Sequence, residues 1–102
     1  MLIGVALKPS VALDIKRSAV CEAVRRFRTT NLSIFGSVLH GVDQDGSDLD
    51  LLVDALPGAT LFDLGGLQVE LEDLLGVRVD LLTPADLPPK FRDRVLTEVR
   101  PV

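Results

Sequence analysis

Two short groups of residues, twelve positions apart, could bind a phosphate and a metal ion: Gly36-Ser37 and Asp48-Leu49-Asp50. In an extended chain alternate side chains point to opposite faces, so Asp48 and Asp50 share one face while the leucines between and after them fill the other. Two carboxylates about 5 Å apart repel each other by about 3 kcal/mol at an effective dielectric of about 20. Such repulsion favours a cation or a proton between them.

The Gly36-Ser37 pair has the properties of a phosphate-binding turn. Glycine allows the backbone to approach a ligand closely, and the N–H groups and hydroxyl of Ser37, at the start of a short helical turn, can bind anionic oxygens. The two aspartates supply the hard oxygen ligands that Mg²⁺ prefers, together with substrate phosphates and water. If the intervening loop folds back, the two groups meet, and the sequence predicts metal-dependent phosphate chemistry.

Asp80 is the candidate for a third carboxylate. It lies in the alternating segment Val77–Leu82, with its apolar neighbours on the opposite face. If this strand lies beside the strand of Asp50, the carboxylates share one site. Two metal ions about 3.5 to 4 Å apart could then stabilise both the attacking and the leaving oxygen of an in-line displacement.

The elements that must position these residues form an α/β domain of the α+β type, with a small mixed sheet of three or more strands packed against helices. The length of 102 residues suits one domain over residues 1–102. The first predicted elements are a helix capped by Ser10 that ends near Thr29, a strand at Asn31–Phe35 and a helical turn at Val38–His40 closed by Gly41. A strand at Asp48–Val53 follows, and then a helix that begins at the capping box of Thr60 and Asp63, runs to Leu75 and is stopped by Gly76. The last predicted elements are a strand at Val77–Leu82 and a helix at Lys90–Val99. The first helix has an apolar stripe that we expect to be buried: Ile15, Ala19, Val20, Ala23, Val24 and Phe27.

Composition and charge limit the class of protein. With 47% hydrophobic and 25% charged residues the chain has the composition of a folded, soluble domain, and its net charge of −4 argues against binding of duplex DNA through the phosphates. The N-terminal residues lack the basic start and long apolar run of a signal peptide, and no window is apolar enough for a membrane span. We therefore expect a cytoplasmic protein without a membrane partner.

Other polar residues fit ordinary structural roles. Asp43, Asp45 and Asp54 are expected in solvated, turn-rich positions. Cys21, the only cysteine, lies on the helical stripe and is expected to be a core thiol rather than a nucleophile.

The combination of Gly36-Ser37, ten intervening residues, Asp48-Leu49-Asp50 and a later strand aspartate resembles the signature of the DNA polymerase beta nucleotidyltransferase superfamily. The short chain resembles the minimal members of that superfamily, the MNT domains. The similarity extends from the first helix to Leu82.

This resemblance implies a role for each matching residue. Gly36 and Ser37 would bind the triphosphate of ATP, Asp48 and Asp50 would ligate Mg²⁺, and Asp80 would be a further metal ligand that helps to deprotonate the acceptor hydroxyl. The resemblance also implies a partner and a reaction, because such MNT proteins act as antitoxins of HEPN-domain ribonuclease toxins. They transfer AMP from ATP to a tyrosine hydroxyl of the toxin, so we expect a homo- or hetero-oligomer.

His40 departs from the family pattern. Many minimal members read Gly-Ser-x-Ala-Arg-Gly, whereas this chain places His40 where the arginine usually stands. A neutral imidazole lacks the permanent charge and the bidentate fork of a guanidinium. His40 is retained as a candidate nucleotide-binding residue, with a weaker contact to the triphosphate than an arginine would make.

Two alternatives to protein adenylylation remain open from the sequence. The chain could neutralise a toxin by binding alone, which the His40 substitution favours. It could also be one subunit of a nucleotidyltransferase that modifies a small molecule, with a partner completing the pocket.

Overall fold

The computed structural model describes residues 8–102, and every structural statement below concerns that part of the chain. The N-terminal segment, where a signal peptide was expected to be absent, lies mostly outside the described residues. Within residues 8–102 no helix has the length and apolar character needed to cross a membrane. The elements in chain order are α1 (Pro9–Arg26), β1 (Thr29–Phe35), α2 (Gly36–Leu39), β2 (Leu49–Ala55), α3 (Leu61–Leu75), β3 (Val79–Leu82), a 3₁₀ helix (Pro84–Asp86), α4 (Pro89–Glu98) and β4 (Arg100–Pro101).

The described strands form one mixed sheet in the order β3-β2-β1-β4. Strand β1 pairs antiparallel with β2 and with β4, whereas β2 and β3 are parallel and are connected through α3. The predicted α+β fold with a mixed sheet is confirmed. Strand β4 was not predicted, because two residues, Arg100 and Pro101, are too few to show a strand pattern.

Helices α1 and α3 pack against each other and cover the sheet. Strand β2 lies at the centre, and its alternation places Leu49, Leu51 and Val53 in the core, where each is completely buried. Burial of one such side chain contributes about 1.5 to 3 kcal/mol. This rigid central strand carries Asp50 on its other face.

Helix α1 differs from the prediction at both ends. It begins at Pro9 with Lys8 as the N-cap, so Ser10 is not the cap, and it ends at Arg26 rather than near Thr29. Proline suits the first helical turn because its missing N–H has no intrahelical acceptor to lose.

The predicted burial of Ile15 in α1 is wrong, since this side chain is 64% exposed. Leu13 is buried instead, and Ile15, two residues later, lies about 200° around the helix from it. Lys16 has a non-helical backbone, with φ of −108° and ψ of 15°, so α1 is kinked between Ile15 and Ala19. The stripe drawn from Ala19 back to Ile15 therefore does not continue across the kink, and the buried face includes Leu13 and Val20 instead.

Helix α3 begins and ends as predicted. Thr60 and Asp63 form a reciprocal capping box, and Gly76 ends the helix in the left-handed conformation with φ of 66°. Strand β3 begins at Val79, two residues later than predicted, and the Val79 N–H donates to the Glu72 carboxylate at 2.9 Å.

Helix α4 has no buried residue, and Arg92 links it to the segment that precedes it. The Arg92 guanidinium donates to the carbonyl oxygens of Pro84 and Leu87, each at 3.0 Å, and of Ala85 at 3.3 Å. These bonds fix α4 to the 3₁₀ helix that precedes it.

Candidate active site

The parallel pairing of β2 and β3 brings two predicted carboxylates side by side. Asp50 and Asp80 are direct partners in the strand register, and Asp48 immediately precedes β2. Asp50 is half-buried, whereas Asp48 and Asp80 are exposed. The structure thus places Asp80 where the sequence predicted it, next to Asp50 on the neighbouring strand.

Gly36, in the turn after β1, lies against this carboxylate group. Phe35 pairs with Asp50 across the sheet, and Gly36 follows with φ of 72°, a conformation that residues with a side chain rarely adopt. A Cβ atom at Gly36 would also collide with Oδ2 of Asp50. Glycine is therefore required here both for backbone conformation and for close approach to the carboxylate.

Ser37 lies in the first turn of α2, half-buried beside Gly36. The first N–H groups of a helix have no intrahelical acceptor and remain available to an anion. The Ser37 carbonyl accepts from the Val42 N–H at 3.0 Å, which closes the turn after α2. The two halves of the sequence motif, Gly36-Ser37 and Asp48–Asp50, therefore meet at one end of β1 and β2.

Electrostatics set Asp50 apart from its neighbours. Burial raises the pKa of Asp50 above its usual value, and the charges of Asp80 and Asp48 raise it further. A carboxyl group in this position is destabilised as an anion unless a cation is near it.

The carboxylates provide a binding surface for a cation rather than a closed cage. Across residues 8–102, no three His, Cys, Asp or Glu side chains form a cluster that could hold a metal ion by themselves. Asp48 Oδ1 lies 3.9 Å from Arg78 Nε, with both side chains largely exposed, so this ion pair is weak. An open set of hard oxygen donors fits Mg²⁺, which binds through one or two carboxylates and completes its shell with phosphate and water.

His40 ends α2 and faces α4. Its Nε2 lies 3.4 Å from Oε2 of Glu98, and the side chain is 55% exposed. Glu98 has no signal in the sequence that links it to His40, because it lies 58 positions later and no local motif connects them. The structure thus leaves His40 close to Gly36 but engaged with a carboxylate of α4.

The expectation that Asp43 lies in a solvated turn is wrong. Asp43 is only 6% exposed, and its Oδ2 accepts from the Ser10 N–H at 2.9 Å. Burial pushes its pKa upward, but the hydrogen bonds from the Ser10 N–H and hydroxyl and the charge of Lys8 outweigh burial, so the pKa of Asp43 lies below its usual value. The pairing joins residues 33 positions apart, which no local pattern reveals.

Three remaining predictions concern Asp45, Asp54 and Cys21, which lie outside the group of Asp48, Asp50 and Asp80. Asp45 is exposed in a turn, as expected, whereas Asp54 lies in β2, where it accepts from Asn31 Nδ2 at 2.8 Å. Cys21 is half-buried instead of being part of the core, because it faces a surface cavity that Pro101 also lines.

Several known proteins are similar to this chain in sequence. A family model described as a nucleotidyltransferase domain matches residues 14–102. A candidate protein adenylyltransferase of Methanocaldococcus jannaschii is 44% identical over 85 residues, which cover 83% of this chain and 90% of that protein. The protein adenylyltransferase MntA of Thermococcus cleftensis is 37% identical over 78 residues, covering 76% of this chain and 79% of that protein.

Solved structures share the fold. The structure of a candidate minimal nucleotidyltransferase superposes with a TM-score of 0.84 at 39% identity and covers 97% of this chain and 100% of its own. A toxin–antitoxin structure with AMP-PNP superposes with a TM-score of 0.69 at 21% identity and covers 82% of this chain and 69% of its own. At 21% identity the second similarity shows the fold alone.

Proposed function

Because the chain belongs to the nucleotidyltransferase domain family, we propose that it transfers AMP from ATP to a hydroxyl group of a partner protein. The observation that supports this most directly is the register of the sheet, which pairs Asp50 with Asp80 while Gly36 packs against Asp50. One domain, extending over residues 1–102, would contain every residue of the transfer site. Since ATP is abundant in the cytoplasm, we place the reaction there.

The proposed reaction is an in-line displacement at the α-phosphorus of ATP. The acceptor oxygen forms a bond to this phosphorus, the bond from phosphorus to the bridging oxygen of the β-phosphate breaks, and pyrophosphate leaves. Asp80 accepts the hydroxyl proton or orients the hydroxyl, because it is the exposed carboxylate on the strand beside Asp50. Gly36 and Ser37 bind phosphate oxygens through backbone N–H groups and the Ser37 hydroxyl.

Asp48, Asp50 and Asp80 would hold Mg²⁺. The donors fit this ion because they are hard carboxylate oxygens with open positions for phosphate and water, and because burial and then the charges of Asp80 and Asp48 raise the pKa of Asp50. When bound, Mg²⁺ neutralises charge on the phosphates and stabilises the developing charge of the displacement.

The proposed acceptor is a tyrosine hydroxyl of a HEPN-type toxin, so that the chain acts as an antitoxin. The names of two relatives, both protein adenylyltransferases of similar length, support a protein acceptor. The structural neighbour that contains a toxin and an antitoxin supports the toxin as partner through fold alone. Exposed apolar side chains on α3, Leu61 at 85% and Phe62 at 91%, offer contact area for a second protein.

The experiment is intact mass spectrometry of a HEPN-type toxin incubated with this protein, ATP and Mg²⁺. We expect mass increments of one AMP unit on the toxin, which a Tyr→Phe substitution in the toxin removes. In parallel, Asp48→Asn/Asp50→Asn should abolish the increment, whereas Asp45→Asn, which changes an exposed turn carboxylate of the same loop, should preserve it.

An antitoxin that acts by binding alone is the second candidate, and the pairing of His40 with Glu98 favours it. In that case the doubly substituted protein would neutralise the toxin as well as the wild type, and no AMP increment would appear. Neutralisation that depends on both aspartates would exclude this reading.

A further inference from the structure

A cavity of about 230 Å³ opens beside Gly36, between the turn that begins α2 and helix α4. Phe35, Phe91 and Val95 provide apolar walls, and Gly36 places the cavity next to the Asp50 carboxylate. The cavity therefore adjoins the place where the proposed transfer requires the phosphates of ATP.

The polar lining of the cavity consists of His40, Arg94 and Glu98. Glu98 pairs with both of the others, since its Oε2 lies 3.4 Å from His40 Nε2 and its Oε1 lies 3.5 Å from Arg94 Nε. Both oxygens of this carboxylate are thus engaged, and one edge of the Arg94 guanidinium is held by a residue one helical turn away.

Arg94 retains most of its capacity to donate. A guanidinium has five N–H donors, and within residues 8–102 the side chain of Arg94 forms a hydrogen bond only through Nε. The Arg94 side chain is 77% exposed and lines the cavity, and no hydrogen bond within residues 8–102 engages its two terminal amino groups. They are free to form a bidentate contact with an oxyanion.

The neighbouring turn has no permanent cation of its own. Between Gly36 and Gly41 the only basic residue is His40, and an imidazole is charged only when it is protonated. A nucleoside triphosphate brings several negative charges to a site that already contains Asp48, Asp50 and Asp80. A permanent positive charge near Gly36 would offset part of this repulsion.

We propose that Arg94 of α4 contacts phosphate oxygens of the bound nucleoside triphosphate and supplies the positive charge that the Gly36–Gly41 turn lacks. This inference rests on the proposed function, because it requires ATP at Gly36. It makes α4 part of the nucleotide site, with Glu98 as a positioning residue that aims the guanidinium.

The test is isothermal titration calorimetry of the full chain with AMP-PNP and Mg²⁺. Arg94→Gln should raise Kd about tenfold or more, the loss expected for one charge-assisted contact, and Arg94→Lys should retain part of the affinity. Arg25→Gln is the matched control, because Arg25 is also an exposed helical arginine whose one hydrogen bond is to its own helix, the Cys21 carbonyl. Arg25→Gln should leave Kd within about twofold of the wild-type value. Thermal melts should show that all variants are folded.

A rescue experiment assigns the effect to the cavity. His40→Arg in the Arg94→Gln background should recover most of the lost affinity, since both side chains line the same cavity. Unchanged Kd in Arg94→Gln, with wild-type binding intact, would overturn the role of Arg94 and leave the proposed function standing. Loss of toxin binding by Arg94→Gln, with normal nucleotide binding, would likewise overturn the role of Arg94 in the nucleotide site. Failure of the wild type to bind any nucleotide would overturn both this role and the proposed function.

Discussion

Asp43, in the loop before β2, and Asp50, in β2 itself, are two shielded carboxylates with different surroundings. Asp43 accepts hydrogen bonds from Ser10 at the start of α1, and its pKa is lowered. Asp50 lies beside Asp80 and Asp48, and its pKa is raised. The first carboxylate finds its partner within the chain, whereas the second is surrounded by like charges and requires a partner from outside.

Asp43 and Asp50 differ in the charges and hydrogen-bond donors around them. Burial alone does not distinguish them, since Asp43 is the more buried of the two. What distinguishes them is the sign of the surrounding charge and the presence of donors. A carboxylate that the fold leaves uncompensated is a candidate ligand for a cation.

The largest effect should come from Asp50→Asn. We expect the rate of AMP transfer to fall by about 100-fold to 1,000-fold. The substitution removes a proposed Mg²⁺ ligand and a negative charge where the charge of the phosphates must be stabilised. In a chelator-treated sample the same variant should melt about 2–4 °C higher than the wild type, since the burial of a charge and its repulsion by Asp80 and Asp48 are both relieved. Transfer assays and thermal melts with and without Mg²⁺ measure both changes.

A variant that loses activity and stability together would contradict this account of Asp50. The Mg²⁺ titration provides the internal control. Mg²⁺ should raise the melting temperature of the wild type and have little effect on Asp50→Asn.

The next effect in size concerns the contact between Gly36 and Asp50. Gly36→Ala combines a left-handed backbone cost of about 1–2 kcal/mol with a collision against the Asp50 carboxylate. Gly41→Ala, at φ of 69° with open space around it, has the backbone cost alone. We expect both variants to melt at lower temperature, but transfer to fall at least about tenfold more in Gly36→Ala. Equal activity in the two variants would show that the approach of Gly36 to Asp50 has no part in the reaction.

Asp43→Asn should have a smaller effect, and on stability only. Loss of the charged acceptor at the start of α1 should cost about 1 kcal/mol, or about 5 °C in melting temperature, because the helix N-terminus favours a negative charge. Urea unfolding at pH 7 measures the cost. Transfer per folded molecule should remain near that of the wild type, and a large drop in activity would remove the distinction drawn between the two aspartates.

The smallest effect is the dependence of the Asp43 contribution on pH. Because the pKa of Asp43 is lower in the folded protein, its contribution to stability is present above the unfolded value of about 3.9 and is lost as the pH falls through the folded value. The gap in unfolding free energy between wild type and Asp43→Asn should therefore be constant from pH 7 to about pH 5 and should narrow below about pH 4. A gap that widens in acid would contradict this sign.

The features that sequence reasoning predicted correctly depend on local patterns. Thr60, Asp63 and Gly76 fix the ends of α3 through contacts a few residues apart. Asp50 lies in β2 as predicted, whereas the strand predicted from Asp48 begins one residue later, at Leu49. The position of Asp80 followed from a single assumption, that the third strand lies beside the second. The structure satisfies this assumption with parallel pairing.

The features that it missed depend on pairs distant in the sequence. Ser10 with Asp43 and His40 with Glu98 are joined only by the tertiary fold, and β4 gains its strand character from pairing with Ser33 and Ile34. The misplaced Ile15 has a different cause. The kink at Lys16 breaks the helical periodicity between Ile15 and Ala19, and an ideal helical pattern does not show such a kink.

Because β2 pairs in parallel with β3, the three carboxylates can come together only late in the synthesis of the chain. Asp50 is made thirty residues before Asp80, and the strand that bears Asp80 can reach its place only after α3 has crossed over the sheet. A partly synthesised chain that ends within α3 would have Gly36, Ser37 and both earlier aspartates yet lack the third carboxylate. The complete set of carboxylates therefore appears only with the finished topology.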